Sequence, residues 1–258
     1  MARLLWADFY HFFKKKWFWL TSLFMVGSSI FFCIMQYTAM DYVVGLDRVI
    51  FLPMAFYGIA AAALITMVVG EDFSDGIIRN KIVSGKSRIS IYGSLLLVSC
   101  TACIAVYAVS IITSFGIGVH FFENNVDGKE LLFFCGMGIG ISIVYACLFC
   151  TITTLSGNKA FSAVLCMILS FVLLFLAVYF NGLLAQPEYK NSVLNLRYVA
   201  GMKRSIYGWL YDINPFGQAA QLSQMKCSNP LRCILVDIVI TVFTGFGGRL
   251  SFSKKDIK

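Results

Sequence analysis

The sequence predicts an all-α, polytopic membrane protein: six transmembrane helices, an interfacial helix at the N-terminus, a short cytoplasmic helix between the second and third spans, and short outer helices before the last span. Three observations predict it. The 258 residues are 59% hydrophobic and only 13% charged, with a mean hydropathy of +0.79, against about one quarter charged residues in soluble domains. Six apolar stretches approach the ~20 residues that a helix needs to cross a bilayer core. Basic residues fall mostly on one side of those stretches, as they do where cytoplasmic loops are enriched in Lys and Arg.

The first sixteen residues read as an amphipathic helix lying on the membrane. Leu5, Trp6, Phe9, Phe12 and Phe13 share one side on the helical period, and Arg3, Asp8, His11, Lys14 and Lys15 share the other. Trp17 and Trp19 follow at headgroup depth, where an apolar ring with a polar N–H is favoured. The spans are expected at Trp17 to Tyr37, Phe51 to Gly70, Ile89 to Gly116, Leu131 to Ser156, Ala160 to Phe180 and Leu231 to Gly248. The first begins after a basic, aromatic segment and is too long for the apolar region of a cleavable signal.

Between spans two and three the chain reads E-D-F-S-D-G-I-I-R-N-K-I-V-S-G-K-S-R, from Glu71 to Arg88. Ser74 or Asp75 is suited to cap a short helix, Gly85 to end it and Ser87 to cap the third span. Asp75 and Arg79 stand four apart for an ion pair, and Ile78 and Ile82 form a small apolar ridge. An ordinary charged loop is one reading of this segment; an exposed ridge on a capped helix makes it a docking element.

Spans four and five are joined by a few residues around Gly157-Asn158-Lys159 and must form a tight antiparallel pair. Gly136, Gly138 and Gly140, with Gly58 and Ala60 to Ala63, are small residues that let membrane helices approach closely, either within the chain or at a subunit interface. The region Asn181 to Pro230 is too long and aromatic for a linker, and Ile206 to Tyr211 and Pro215 to Leu222 are suited to short helices dipping into the outer leaflet. No internal repeat divides the chain, which reads as one domain over 1–258.

With the N-terminus inside, the inner segments carry Arg3, Lys14, Lys15, Lys16, Arg79, Lys81, Lys86, Arg88, Lys159, Arg249, Lys254, Lys255 and Lys258, and the two short outer loops only Arg48 and Lys129. Lys203 and Arg204, before the last span, oppose this orientation. Topology and anionic lipid account for much of the net charge of +8, and no nucleic-acid-binding motif accompanies it. Eight of the nine cysteines lie in or beside apolar stretches as small hydrophobes. Cys227 stands in the outer loop, near enough in sequence to Cys233 for a bridge, although no disulfide framework is indicated.

Catalytic apparatus is not visible. Asn80 to Ser87, N-K-I-V-S-G-K-S, comes within one residue of a phosphate-binding loop, but Asn80 stands where glycine must make the tight turn. His11 and His120 fall near opposite faces of the bilayer, so no shared metal site is expected, and no cofactor. Asp237 is the one ionisable residue inside an expected span, either satisfied near the outer end by Arg232 or water, or part of a transport path.

The order of these elements resembles the membrane-spanning permease subunits of type-2 ABC exporters. Glu71, Gly76-Ile77-Ile78-Arg79-Asn80-Lys81 and Gly85-Lys86-Ser87-Arg88 look like that family's charged coupling segment. Phe252-Ser253-Lys254-Lys255-Asp256-Ile257-Lys258 looks like its closing run, and Asn214-Pro215 is similar to another recurrent element. The resemblance covers essentially the full length and implies a permease in the cell membrane that pairs with a second permease copy, the same or different. It implies no ATPase site of its own, ATP being bound by a separate ABC ATPase subunit. On this reading Glu71, Asp75 and Gly76 belong to the coupling segment, Ile78 and Ile82 insert into the ATPase, Arg79 and Asn80 fix the contact, and Gly85 and Arg88 set the joint with span three. Apolar spans and an aromatic outer loop suit an amphipathic or lipid-like cargo, such as a peptide antibiotic or drug. The alternatives are a membrane scaffold or sensor and a stand-alone secondary transporter; the latter is expected to carry more intramembrane charge and broken helices.

Overall fold

A computed structural model describes residues 2–39, 44–190 and 193–254. The described residues form ten α-helices: α1 (Ala2–Lys14), α2 (Lys16–Ala39), α3 (Met54–Ser74), α4 (Ile77–Val83), α5 (Arg88–Phe121), α6 (Gly128–Ser156), α7 (Lys159–Leu184), α8 (Gly201–Ile213), α9 (Pro215–Ser223) and α10 (Pro230–Lys254). Six of them, α2, α3, α5, α6, α7 and α10, are long and apolar enough to cross a membrane. Each contains or closely overlaps an expected span. A two-residue antiparallel pairing of Tyr189–Lys190 with Val193–Leu194 follows α7 and was not anticipated.

Of the six, α3 is the most enclosed and α7 and α10 the least. Lipid tails are as apolar as leucine, so helices in a bilayer associate through close packing and hydrogen bonds. Both devices are present. Rings of Phe216 and Tyr145 press on Gly58, and the Tyr107 ring presses on Gly138, each filling the space that a Cβ would need. Ser29 and Ser110 join α2 to α5 with hydroxyls 3.1 Å apart, Tyr57 Oη donates to the Cys103 carbonyl at 2.8 Å, and Tyr92 and Thr151 hydroxyls meet at 2.9 Å. Gly136, by contrast, faces open space. Gly58→Ala is therefore expected to lose about 1–3 kcal/mol through overpacking and Gly136→Ala nothing comparable, read as thermal midpoints of the detergent-solubilised proteins.

The expected tight turn between spans four and five is present: Gly157 takes φ +67° and Asn158 Oδ1 accepts from the N–H groups of Ala160 and Phe161, capping α7.

The expected outer helices are α8 and α9, which form a hairpin that turns back into the bundle. Arg204 Nη2 donates to the carbonyl of Leu184 at the end of α7, and Asn214 Nδ2 to the carbonyl of Leu173 at 2.7 Å. Eleven residues of rise separate those two carbonyls, so the hairpin tip reaches about 16 Å down α7. Non-helical backbone at such depth must find partners within the protein. Asn214 supplies one by accepting from Phe216 N–H at the start of α9, where Pro215 has no N–H to satisfy, and Gln218 Nε2 covers the Asp212 carbonyl at 2.8 Å.

Candidate functional site

The segment between α3 and α5 folds as α4, a two-turn helix hung from the end of α3. Its start differs from expectation. Neither Ser74 nor Asp75 caps it; Gly76, at φ +70°, stands at the N-cap without a side-chain bond, and Asp75 closes α3 through backbone bonds. The left-handed turn at Gly76 separates Asp75 from Arg79 onto two helices. The expected Asp75–Arg79 pair is absent among the described ion pairs, and both residues are exposed. The end is as expected: Gly85 at φ +79° returns its N–H to Ile82 and the Lys86 N–H reaches the Lys81 carbonyl, while Ser87 Oγ accepts from Ser90 N–H to start α5.

The apolar ridge also needs correction. Ile78 is 1% exposed and belongs to the core, and Ile82 is half-buried against it. A two-turn helix lying back on α3 and α5 spends its isoleucines on that contact. What α4 presents outward is Arg79, Asn80 and Val83, the last 80% exposed. Val83 was missed because the sequence offers no means of ranking three apolar residues on so short a helix.

Buried charge ties α4 to its surroundings. Lys81 Nζ meets Asp8 Oδ1 of α1 at 2.7 Å, and Ser94 Oγ of α5 donates to Asp8 Oδ2 at 2.6 Å. Asp8, expected on the solvated side of the first helix, is 7% exposed. Leu4 and Phe12 accompany it inward, while Trp6 and Tyr10 face out, so the first helix is turned from the expected setting to serve this pair. Behind α4, the last turn of α3 offers two carboxylates. Glu71 Oε1 accepts from Trp17 Nε1 at 2.6 Å and Lys159 Nζ at 2.8 Å, and Asp72 Oδ1 pairs with Lys15 Nζ at 2.7 Å. Lys15 also donates to the Val68 carbonyl. Arg88 Nη1 lies 3.4 Å from the Ser253 carbonyl of α10, and Phe252 packs on Phe73 and Tyr92. The α4 end of the molecule thus joins α1, α2, α3, α5, α7 and α10 through short contacts around one small exposed helix. Lys255 to Lys258 lie outside the described residues.

Asp237 sits toward the opposite end, remote from this network. It is 8% exposed, its Oδ2 lies against Gly140 of α6, Gln218 of α9 stands beside its carboxylate, and its Oδ1 has no partner among the described residues. Arg232, the partner that sequence reasoning offered it, pairs instead with Asp212 of α8 and stacks on Trp209 at 4.5 Å. Asp237 is therefore covered by the hairpin rather than reached by its neighbouring cation. Gln218 and Tyr145, both fully buried and each with an oxygen that has no partner among the described residues, share this region; neither stands out in the sequence, since only the hairpin's return brings α9 to this depth.

Among the described residues no group of three or more His, Cys, Asp or Glu is placed to hold a metal ion. No protein-family model matches the chain, and no curated protein matches it.

Proposed function

We propose that the chain is the transmembrane permease subunit of an ATP-driven exporter of the ABC type, set in the cell membrane with both termini cytoplasmic and driven by a separate ATPase subunit. The observation that carries this reading is α4: a small exposed helix that ends two candidate spans and is anchored by the buried Asp8–Lys81 pair to a third element. An element built only to connect α3 to α5 needs no such anchoring. A docking partner pushing on Arg79, Asn80 and Val83 moves α3 and α5 through the chain and α1 through Asp8. The lipid-facing apolar surfaces of α7 and α10 leave room for a second permease copy, and the cargo is amphipathic or lipid-like. Gentle purification of the tagged chain from its own membranes tests the proposal: a stoichiometric ATPase subunit is expected with it, and its absence in several mild detergents overturns the reading.

Asp237 under the hairpin is the candidate for the transport path. Asp237→Asn keeps the shape and removes the charge, so export is expected to fall several-fold at unchanged membrane abundance; wild-type export removes Asp237 from the path.

A further inference from the structure

The hairpin end holds a feature that transport does not use. Cys227, in the loop after α9, and Cys233, in the first turn of α10, have their sulfur atoms 3.7 Å apart. This proximity is imposed by bonds on both sides of the pair. Lys226 N–H donates to the Gln221 carbonyl at 3.1 Å, Ser228 N–H to Gln221 Oε1 at 3.2 Å, and Cys233 N–H to the Asn229 carbonyl at 3.2 Å. Gln221 is itself fixed, since its Nε2 donates to Asp212 Oδ1 at 2.8 Å.

We propose that Cys227 and Cys233 are a redox pair that closes to an intramolecular disulfide by exchange with an external disulfide. A bond of about 2.05 Å requires the two sulfurs, 3.7 Å apart, to approach by less than 2 Å. The two cysteines are unequal in a way that orders the reaction. Cys227 is half-exposed between exposed Lys226 and Ser228, and Cys233 is fully buried. The hydrogen bond with Cys233 holds the Cys227 thiol below its ordinary range, which favours Cys227 as the attacking thiolate. Its sulfur attacks one sulfur of the incoming disulfide, forming a mixed disulfide and releasing the other half as a thiolate. Cys233 then gives up its proton to that thiolate, attacks the Cys227 sulfur and expels the second half, which takes the proton that Cys227 gave up. Two protein thiols are oxidised, one disulfide is reduced to two thiols, and the buried member never has to meet the oxidant. The location of the pair in the outer compartment rests on the orientation proposed above; the bond itself does not.

Tryptic cleavage after Lys226 and Arg232 places the two cysteines on separate peptides, so closure appears in mass spectrometry as a linked pair two hydrogen atoms lighter than the sum. Opened membranes holding the full chain are treated with oxidised glutathione, then alkylated before denaturation. The linked pair is expected, lost with Cys227→Ser and restored to free thiols by reductant, while Cys100 and Cys147, which lie within α5 and α6, stay unlinked. Full alkylation of both Cys227 and Cys233 after that treatment overturns the pair. The same oxidant on intact cells separates the two ideas: closure there supports the outer placement, and closure only in opened membranes keeps the redox pair while overturning the orientation.

Discussion

Asp8→Ala is expected to be among the most damaging single substitutions at the α4 end, lowering stability by about 3–5 kcal/mol because it strands a partner charge in a poorly hydrated place. Lys81 has 15% of its side chain exposed in the pair, and the Ser94 hydroxyl loses its acceptor as well. The readout is the thermal midpoint of the solubilised protein together with its abundance in the membrane; a midpoint equal to wild type would show that the pair carries no such weight. The double substitution Asp8→Leu with Lys81→Met removes both charges at once and is expected to regain most of the loss, since apolar groups of similar size often replace a buried pair at little cost. If α4 transmits motion through this pair, the double variant should fold well and still export poorly. That split between stability and transport separates a transmitting contact from a merely structural one.

The second large effect distinguishes the two faces of α4. Ile78→Asp places an unpaired carboxylate in the core and is expected to cost about 4 kcal/mol or more, seen as loss of the protein from the membrane. Val83→Asp changes an 80% exposed side chain, so abundance and thermal midpoint should stay near wild type. On the proposed permease reading, co-purification of an ATPase subunit should nevertheless fall by at least about tenfold, which corresponds to roughly 1.4 kcal/mol of binding. A Val83→Asp chain that retains its ATPase would remove α4 from the docking role, whatever Ile78→Asp does.

These two experiments concern residues that the sequence misplaced, and the reason is common to both. Hydropathy finds long spans because twenty apolar residues have few other uses, so six candidate membrane helices were legible, as were the Pro215 start of α9 and the Gly85 end of α4. Facing is a different matter for short amphipathic helices. Asp8 looks solvated because charges usually are, and nothing local announces that Lys81, far along the chain, will meet it. Ile78 looks like a protruding ridge until the turn at Gly76 folds it back on α3. The environment of Asp237 was equally hidden, because Gln218 reaches it only once α8 and α9 have doubled back.

That doubling back also imposes an order on biosynthesis. Alpha-helix α9 rests on α3, α6 and α7, all made before it, while α10, made last, packs on α5, α6 and α8. A chain emerging N-terminus first therefore has the receiving groove complete before the hairpin is synthesised, and the final helix arrives to shut it in. A nascent chain halted before α10 should hold the hairpin without its cover, exposing its polar tip to the quality-control proteases that survey unfinished membrane proteins.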